Sequence, residues 1–235
     1  MQDDPAHFRQ ALLRWAEVHP RPLPWKGQSD PYRIWLSEII LQQTRVEQGL
    51  PYYERFVAAY PSVRHLADAP EEELMKLWEG LGYYSRARNL HAAARHIAYG
   101  LGGNFPTDYA GLRQLRGVGD YTAAAIASFA YGLPHAVVDG NVYRVLARCF
   151  GIATPTATPA AKRQFADLAQ RLLDPARPAA FNQAIMDFGA TWCKPRQPRC
   201  ADCPLSSRCV ALATGQVASL PLKSGKAPKK ERFFL

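Results

Sequence analysis

Two sets of residues in this 235-residue chain have the types and spacing of chemically active groups. The first lies in CKPRQPRCADCPLSSRC, which places Cys193, Cys200, Cys203 and Cys209 in a C-x6-C-x2-C-x5-C pattern. Four thiols this close in sequence read as a metal site, because free cysteines are rare and clustering in a basic segment is rarer. Tetrahedral zinc is the rival reading. Structural zinc usually pairs two short knuckles, whereas only one x2 spacing occurs here, so the pattern leans toward an iron–sulfur cluster held by four thiolates. The segment Lys194-Pro-Arg196-Gln-Pro-Arg199 between the first two cysteines carries three cations and two prolines. Pinned at both ends by a metal, it would be a preorganised finger for phosphate oxygens; a solvated surface loop is the alternative.

The second set is a pair of carboxylates. Glu38 sits in IWLSEIILQQT, where its helical neighbours Ile34, Trp35, Leu41 and Gln42 offer its charge no partner. Such a residue either turns out to solvent or lines a partly apolar cleft, where a carboxyl keeps its proton to higher pH and can donate it. Asp139 follows Ala136-Val137-Val138 and precedes GNVYRV, the place of a helix N-cap. A cap carboxylate at a cleft edge can also stabilise a nearby cation, so the two roles are compatible. A third stretch, LRGVGDYTAAAI, sets Gly117-Val118-Gly119 before an alanine-rich segment. Two helices joined there would present backbone N–H groups to a phosphate, although an ordinary helix–turn–helix connection fits equally. Neither a P-loop nor a dinucleotide fingerprint occurs.

The elements that must position these groups read as helices. Phe8, Leu12 and Trp15 recur at helical intervals, as do Leu74, Leu77, Trp78 and Leu81, then Leu90, Ala94 and Ile97, and later Phe165, Leu168, Ala169 and Leu172. Pro31, Pro70 and Pro159 sit at first helical turns, Ser85 is placed to cap the helix that follows it, and Gly100 to end that helix. Only Ala136 to Val138 suggests extended chain. Hydrophobic residues make up 48% of the sequence, enough for one large domain or two compact ones. The net charge of +9 predicts a polyanionic partner, nucleic acid first and an anionic membrane second. No apolar run approaches the roughly 20 residues of a membrane span, and the start MQDDPAHF is acidic where a signal peptide is basic and then apolar, so a soluble, unexported protein is expected. In a reducing compartment five cysteines point to metal or catalytic roles, with Cys149 assigned to the core.

Taken together, LSEIILQQT, GLGYYSRA, LRGVGDYTAAAI, VVDGNVYRV, FNQAIMDFGA and the four-cysteine segment resemble the helix–hairpin–helix DNA glycosylases of the endonuclease III superfamily, over residues from about Leu23 to Cys209. Within it the chain is most similar to the MutY type, which removes adenine mispaired with oxidised guanine. The resemblance implies an all-α, two-lobed fold with a C-terminal [4Fe-4S] cluster loop: residues 1–23 plus 134–218 as the cluster domain, 24–133 as a six-helix domain with the hairpin, and 219–235 as a linker toward an absent further domain. Arg232-Phe233-Phe234-Leu235 reads as the entry to that domain. Double-stranded DNA with a mismatch is the implied partner, bound by a monomer in the bacterial cytoplasm, with no membrane.

The resemblance also implies roles residue by residue. Glu38 is the acid that protonates adenine, Asp139 the carboxylate that stabilises the sugar cation, and Asn141 their support. Trp25 and Gln183 sit beside the extruded base. Gln43, Thr44, Leu81 and Tyr83 enter or line the opened stack, while Gly117, Val118, Gly119, Lys194, Arg196 and Arg199 hold the backbone. Cys193, Cys200, Cys203 and Cys209 ligate the cluster. Relatives with strand-cleaving activity carry a lysine two residues after the second hairpin glycine; here Tyr121 stands there, implying a glycosylase without efficient lyase chemistry. A thymine or uracil mismatch glycosylase and a non-enzymatic DNA-binding module are the alternatives.

Overall fold

In the computed structural model, residues 4–222 are described, and every regular element among them is a helix. Two compact units emerge among them, one of residues 20–137 and 173–182, the other of 4–19, 138–172 and 183–222.

The first unit is organised around α2 (Pro31–Leu41), whose start is set by Asp30: its side chain accepts from the Tyr32 N–H at 2.9 Å while Pro31 supplies a helical φ. Residues 34–40 are all buried, so this helix is apolar on nearly every face and can only be a core helix. It packs on α3 (Val46–Ala59) and on α8 (Asp120–Tyr131), where Ala123, Ala125 and Ala127 allow close approach. Around it, α4 (Val63–Asp68), α5 (Glu71–Trp78), α6 (Ser85–Arg95) and α7 (Tyr109–Gln114) complete a core in which Trp35, Phe56 and Trp78 are fully buried. Truncating any of these rings to alanine would cost about 3–5 kcal/mol. Asn182 ties residues 173–182 to this unit: its amide donates to Ser128 Oγ and to the His135 carbonyl, and its oxygen accepts from the Val137 N–H.

The second unit contains α1 (Pro5–Val18), α9 (Gly140–Phe150), α10 (Pro159–Leu172), the later turns of α11 (Pro178–Thr191) and the short α12 (Val210–Ala213). Val142, Val145, Leu146 and Cys149 form the buried stripe of α9. Arg9 donates to the carbonyls of Leu172 and Arg171, each at 2.7 Å, so its cation meets the negative end of α10.

One local expectation is corrected and two are refined. Ser85 does not cap α6: the cap is Tyr84, which makes no side-chain bond to the helix, and Ser85 is already helical. Gly100 ends a π-helical turn, His96–Gly100, that continues from α6, because the backbone there closes one residue wider. Residues 136–138 pair with no strand; Asn182 satisfies the Val137 N–H in place of a ladder. Among the described residues no helix is long and apolar enough to cross a membrane. Residues 232–235 and most of the expected linker lie outside the described residues.

Candidate active site

In the first unit Glu38 lies in the C-terminal half of α2 and is only 9% exposed. Beyond Leu41 the helix stops in a tight turn: Gln42 Nε2 donates to Thr122 Oγ1 of α8 at 3.3 Å, Gln43 adopts φ +57°, and the Thr44 N–H returns to the Leu41 carbonyl. A second turn follows α5. There Leu81 is buried, Trp78 Nε1 donates to the Gly82 carbonyl, and Tyr83 stands 64% exposed at φ +47°. Left-handed backbone at a non-glycine residue is costly and persists only where surrounding structure enforces it. Gln43 and Tyr83, both expected DNA contacts, are two of the three such residues among those described. Trp25 is partly buried, edge-on to Tyr53 with ring centroids 5.0 Å apart, so its indole is also part of the core margin.

The glycine turn divides its tasks. Gly117 has φ +80°, and a Cβ there would come 2.9 Å from the Cβ of Asn89, whose side-chain oxygen accepts from Arg116 Nε. Val118 is buried, its N–H bonds the Leu115 carbonyl and its own carbonyl accepts from Arg113, so its contribution is to anchor the turn. Gly119 is the N-cap of α8 and a Cβ there would meet nothing within 4 Å. Tyr121 follows in the first turn of α8, half-buried. Asn89, on the distant α6, carries no local signal of this role.

In the second unit Asp139 is the N-cap of α9. One of its oxygens accepts from the Val142 N–H and the other from Asn141 Nδ2, each at 2.7 Å. Burial raises its pKa above the ordinary 3.8, opposed by those hydrogen bonds and by Arg144. Arg144 continues the chain of contacts: Nη2 donates to Asn141 Oδ1 and to the Gly189 carbonyl at 2.7 Å, and Nε to the Cys193 carbonyl at 2.8 Å. A Cβ on Gly189 would lie 2.7 Å from Asn141 Cβ and 2.9 Å from its carbonyl oxygen, so α11 meets the first turn of α9 only because residue 189 has no side chain. Gln183 donates to Asp187 Oδ2 one turn along α11.

The four cysteines and Cys149 line one pocket with Arg148, Phe188 and Trp192. Arg148 is 2% exposed and donates to the carbonyls of Cys193, Lys194, Pro195 and Leu220, and at 3.4 Å to Cys193 Sγ. A buried guanidinium sustained by carbonyls is the usual resolution of such a charge, and it suits a thiolate neighbour. A hydrogen bond from Cys149 chiefly holds Cys209 down to about 6, while burial pushes Cys203 up to about 11. Among the described residues no three His, Cys, Asp or Glu side chains are grouped as a single ion would require. In the basic segment Arg196 and Arg199 are exposed and Lys194 half-buried; Gln197 has φ +50°, and the Arg199 guanidinium lies 4.9 Å from the Trp192 ring centroid. Arg144 and Arg148 escaped notice in the sequence because an arginine in a helix reads as solvated.

Residues 36–171 match the family model described as "HhH-GPD superfamily base excision DNA repair protein". The chain is 46% identical to the adenine DNA glycosylase of Mus musculus over 93% of its own length and 43% identical to that of Homo sapiens over 97%. It spans about half the length of these curated relatives, 45% in each case. A solved thermostable thymine-DNA glycosylase superimposes with a TM-score of 0.82 at 30% identity, covering 89% of this chain and 97% of that one. With the matched helical fold spanning both α2 and the capped α9, the chain belongs to the HhH-GPD superfamily of base excision DNA repair proteins.

Proposed function

We propose that this protein is a DNA glycosylase that hydrolyses the N-glycosidic bond of adenine mispaired with oxidised guanine or with guanine, acting as a monomer on double-stranded DNA. What carries the reading is the similarity to adenine DNA glycosylases over 93% and 97% of the chain, across the segments holding Glu38 and Asp139.

The chemistry needs both carboxylates. Adenine leaves poorly until a ring nitrogen is protonated, and its departure leaves an oxocarbenium-like sugar. Glu38, buried among apolar side chains, supplies the proton. Asp139 stabilises the sugar cation, with Asn141 orienting one of its oxygens. Water, or a transient bond to Asp139, completes hydrolysis. Trp25 and Gln183 sit beside the extruded base, and Gln43, Thr44, Leu81 and Tyr83 enter or line the opened stack, where exposed Tyr83 suits insertion. Gly117, Val118 and Gly119 present the start of α8 to a phosphate, and the net charge of +9 favours the duplex. Tyr121 has no amine to form a Schiff base, so strand cleavage should be inefficient.

Cys193, Cys200, Cys203 and Cys209 would hold a [4Fe-4S] cluster. The donor set fits: four thiols share one pocket with a buried arginine that donates to one sulfur. When bound, the cluster cross-links residues 193–209 and so fixes the basic segment that carries Lys194, Arg196 and Arg199 for phosphate contact. Iron analysis and visible absorption test this, and stoichiometric zinc would refute it.

The decisive experiment is release of free base from duplexes bearing A, T or U opposite guanine or oxidised guanine. Release of adenine supports the proposal; release of only T or U replaces it with a mismatch thymine or uracil glycosylase, the reading favoured by the thymine-DNA glycosylase structure. If no base is released while DNA is bound, a binding module is the answer.

A further inference from the structure

The two strained turns of the first unit share one side chain that the proposed chemistry leaves unused. Arg86, on α6, directs Nη1 to the carbonyls of Ile39, Ile40 and Gln42 at 3.0, 3.1 and 2.6 Å. Its Nη2 reaches the carbonyls of Leu81 and Gly82 at 3.1 and 3.5 Å. The first three acceptors are the unsatisfied end of α2, the helix that carries Glu38; the other two precede Tyr83. The guanidinium also lies 5.1 Å from the Trp78 ring centroid and 5.7 Å from that of Tyr83. A planar fork with several donors can bridge two backbones in this way and a lysine cannot, while its charge complements the negative end of α2.

Gln43 and Tyr83 each follow directly after carbonyls that Arg86 holds, and each keeps a left-handed backbone. We infer that Arg86 is a positioning residue for base extrusion: it locks the turn after α2 to the turn before α6, so that Gln43 and Tyr83 meet the duplex as one rigid edge registered to Glu38. Because both terminal nitrogens face backbone carbonyls, its contribution passes through those two residues rather than through a phosphate. The inference rests on the glycosylase reading for its consequence, though not for its geometry.

The test compares wild type with Arg86→Gln and Arg86→Lys, checked for folding by circular dichroism; if Arg86→Gln does not fold, Arg86→Lys carries the comparison. Without DNA, amide exchange in residues 42–44 and 81–84 should quicken about tenfold or more, the scale of one charge-assisted hydrogen bond, while residues 115–120 exchange as before. With a duplex carrying 2-aminopurine in place of the mispaired adenine, the fluorescence rise on extrusion should fall about tenfold at saturating protein, while affinity for undamaged duplex holds. In a Tyr83→Ala background the Arg86→Gln loss should largely vanish, since both act on one edge. Unchanged exchange, or losses that simply multiply, would overturn the inference. Failure of wild type itself to extrude or release any base would instead sink the glycosylase reading, and the exchange measurement would still decide whether Arg86 locks the two turns.

Discussion

Glu38 and Asp139 carry the same functional group in opposite local settings. Glu38 projects from the body of a helix whose residues 34–40 are all buried. Asp139 stands just before its helix, and both of its oxygens accept 2.7 Å hydrogen bonds, one of which starts α9. Burial works against its charge while these bonds sustain it. A carboxyl buried within a helix body has no part in starting that helix, whereas a cap serves architecture and chemistry at once. Substitution should therefore separate the two roles at position 139.

The largest effect belongs to Glu38→Gln, which should lower single-turnover base release by about 10²–10⁴-fold, the usual range for a general acid. Base release close to that of wild type would remove Glu38 from the chemistry. Next, Asp139→Asn and Asp139→Ala should each reduce base release by about 10²–10³-fold. They should differ in denaturant melts: asparagine still caps, while alanine forfeits about 1 kcal/mol. Equal stability of the two variants would show that the cap contributes nothing.

A smaller loss tests the support of Asp139 through Asn141. In Gly189→Ala the new methyl would meet Asn141, and overpacking of this kind costs about 1–3 kcal/mol. Base release should fall with stability, whereas Gly119→Ala, with open space around it, should melt like wild type. The smallest effect is in pH. Asp139 has a folded pKa above its ordinary 3.8, so the folded state holds the proton more tightly. Relative to Asp139→Asn, wild type should lose stability as pH rises from about 4 through that folded pKa and then level off, read as the difference between urea midpoints at each pH. A difference that grows with pH would mean that the hydrogen bonds outweigh burial.

The legibility of the molecule follows the range of the interactions involved. Helices were readable because the signals are local: Asp30-Pro31 starts α2, Thr158-Pro159 starts α10, and apolar spacing marks the buried faces. The Ser85 cap failed for the same reason inverted, since a suitable residue type at a helix start says nothing of whether tertiary contacts let the helix begin there. The cysteine spacing was visible, but Arg148 beneath the loop was not, because its partners Cys193, Lys194 and Pro195 lie 45 to 47 positions away. Val118 shows a finer limit: the glycine turn was plain in the sequence, yet only packing turns its central side chain into the core.

Residue type and short-range periodicity thus account for the helical class, the motif order, and which residues are chemically equipped to act. Which atoms serve those residues is settled by packing. Arg86 reaches Ile39 across 47 positions and Arg144 reaches Cys193 across 49, and such contacts depend on how helices pack. Packing fixes where unsatisfied carbonyls and buried charges must meet, and that requirement is written in no local pattern.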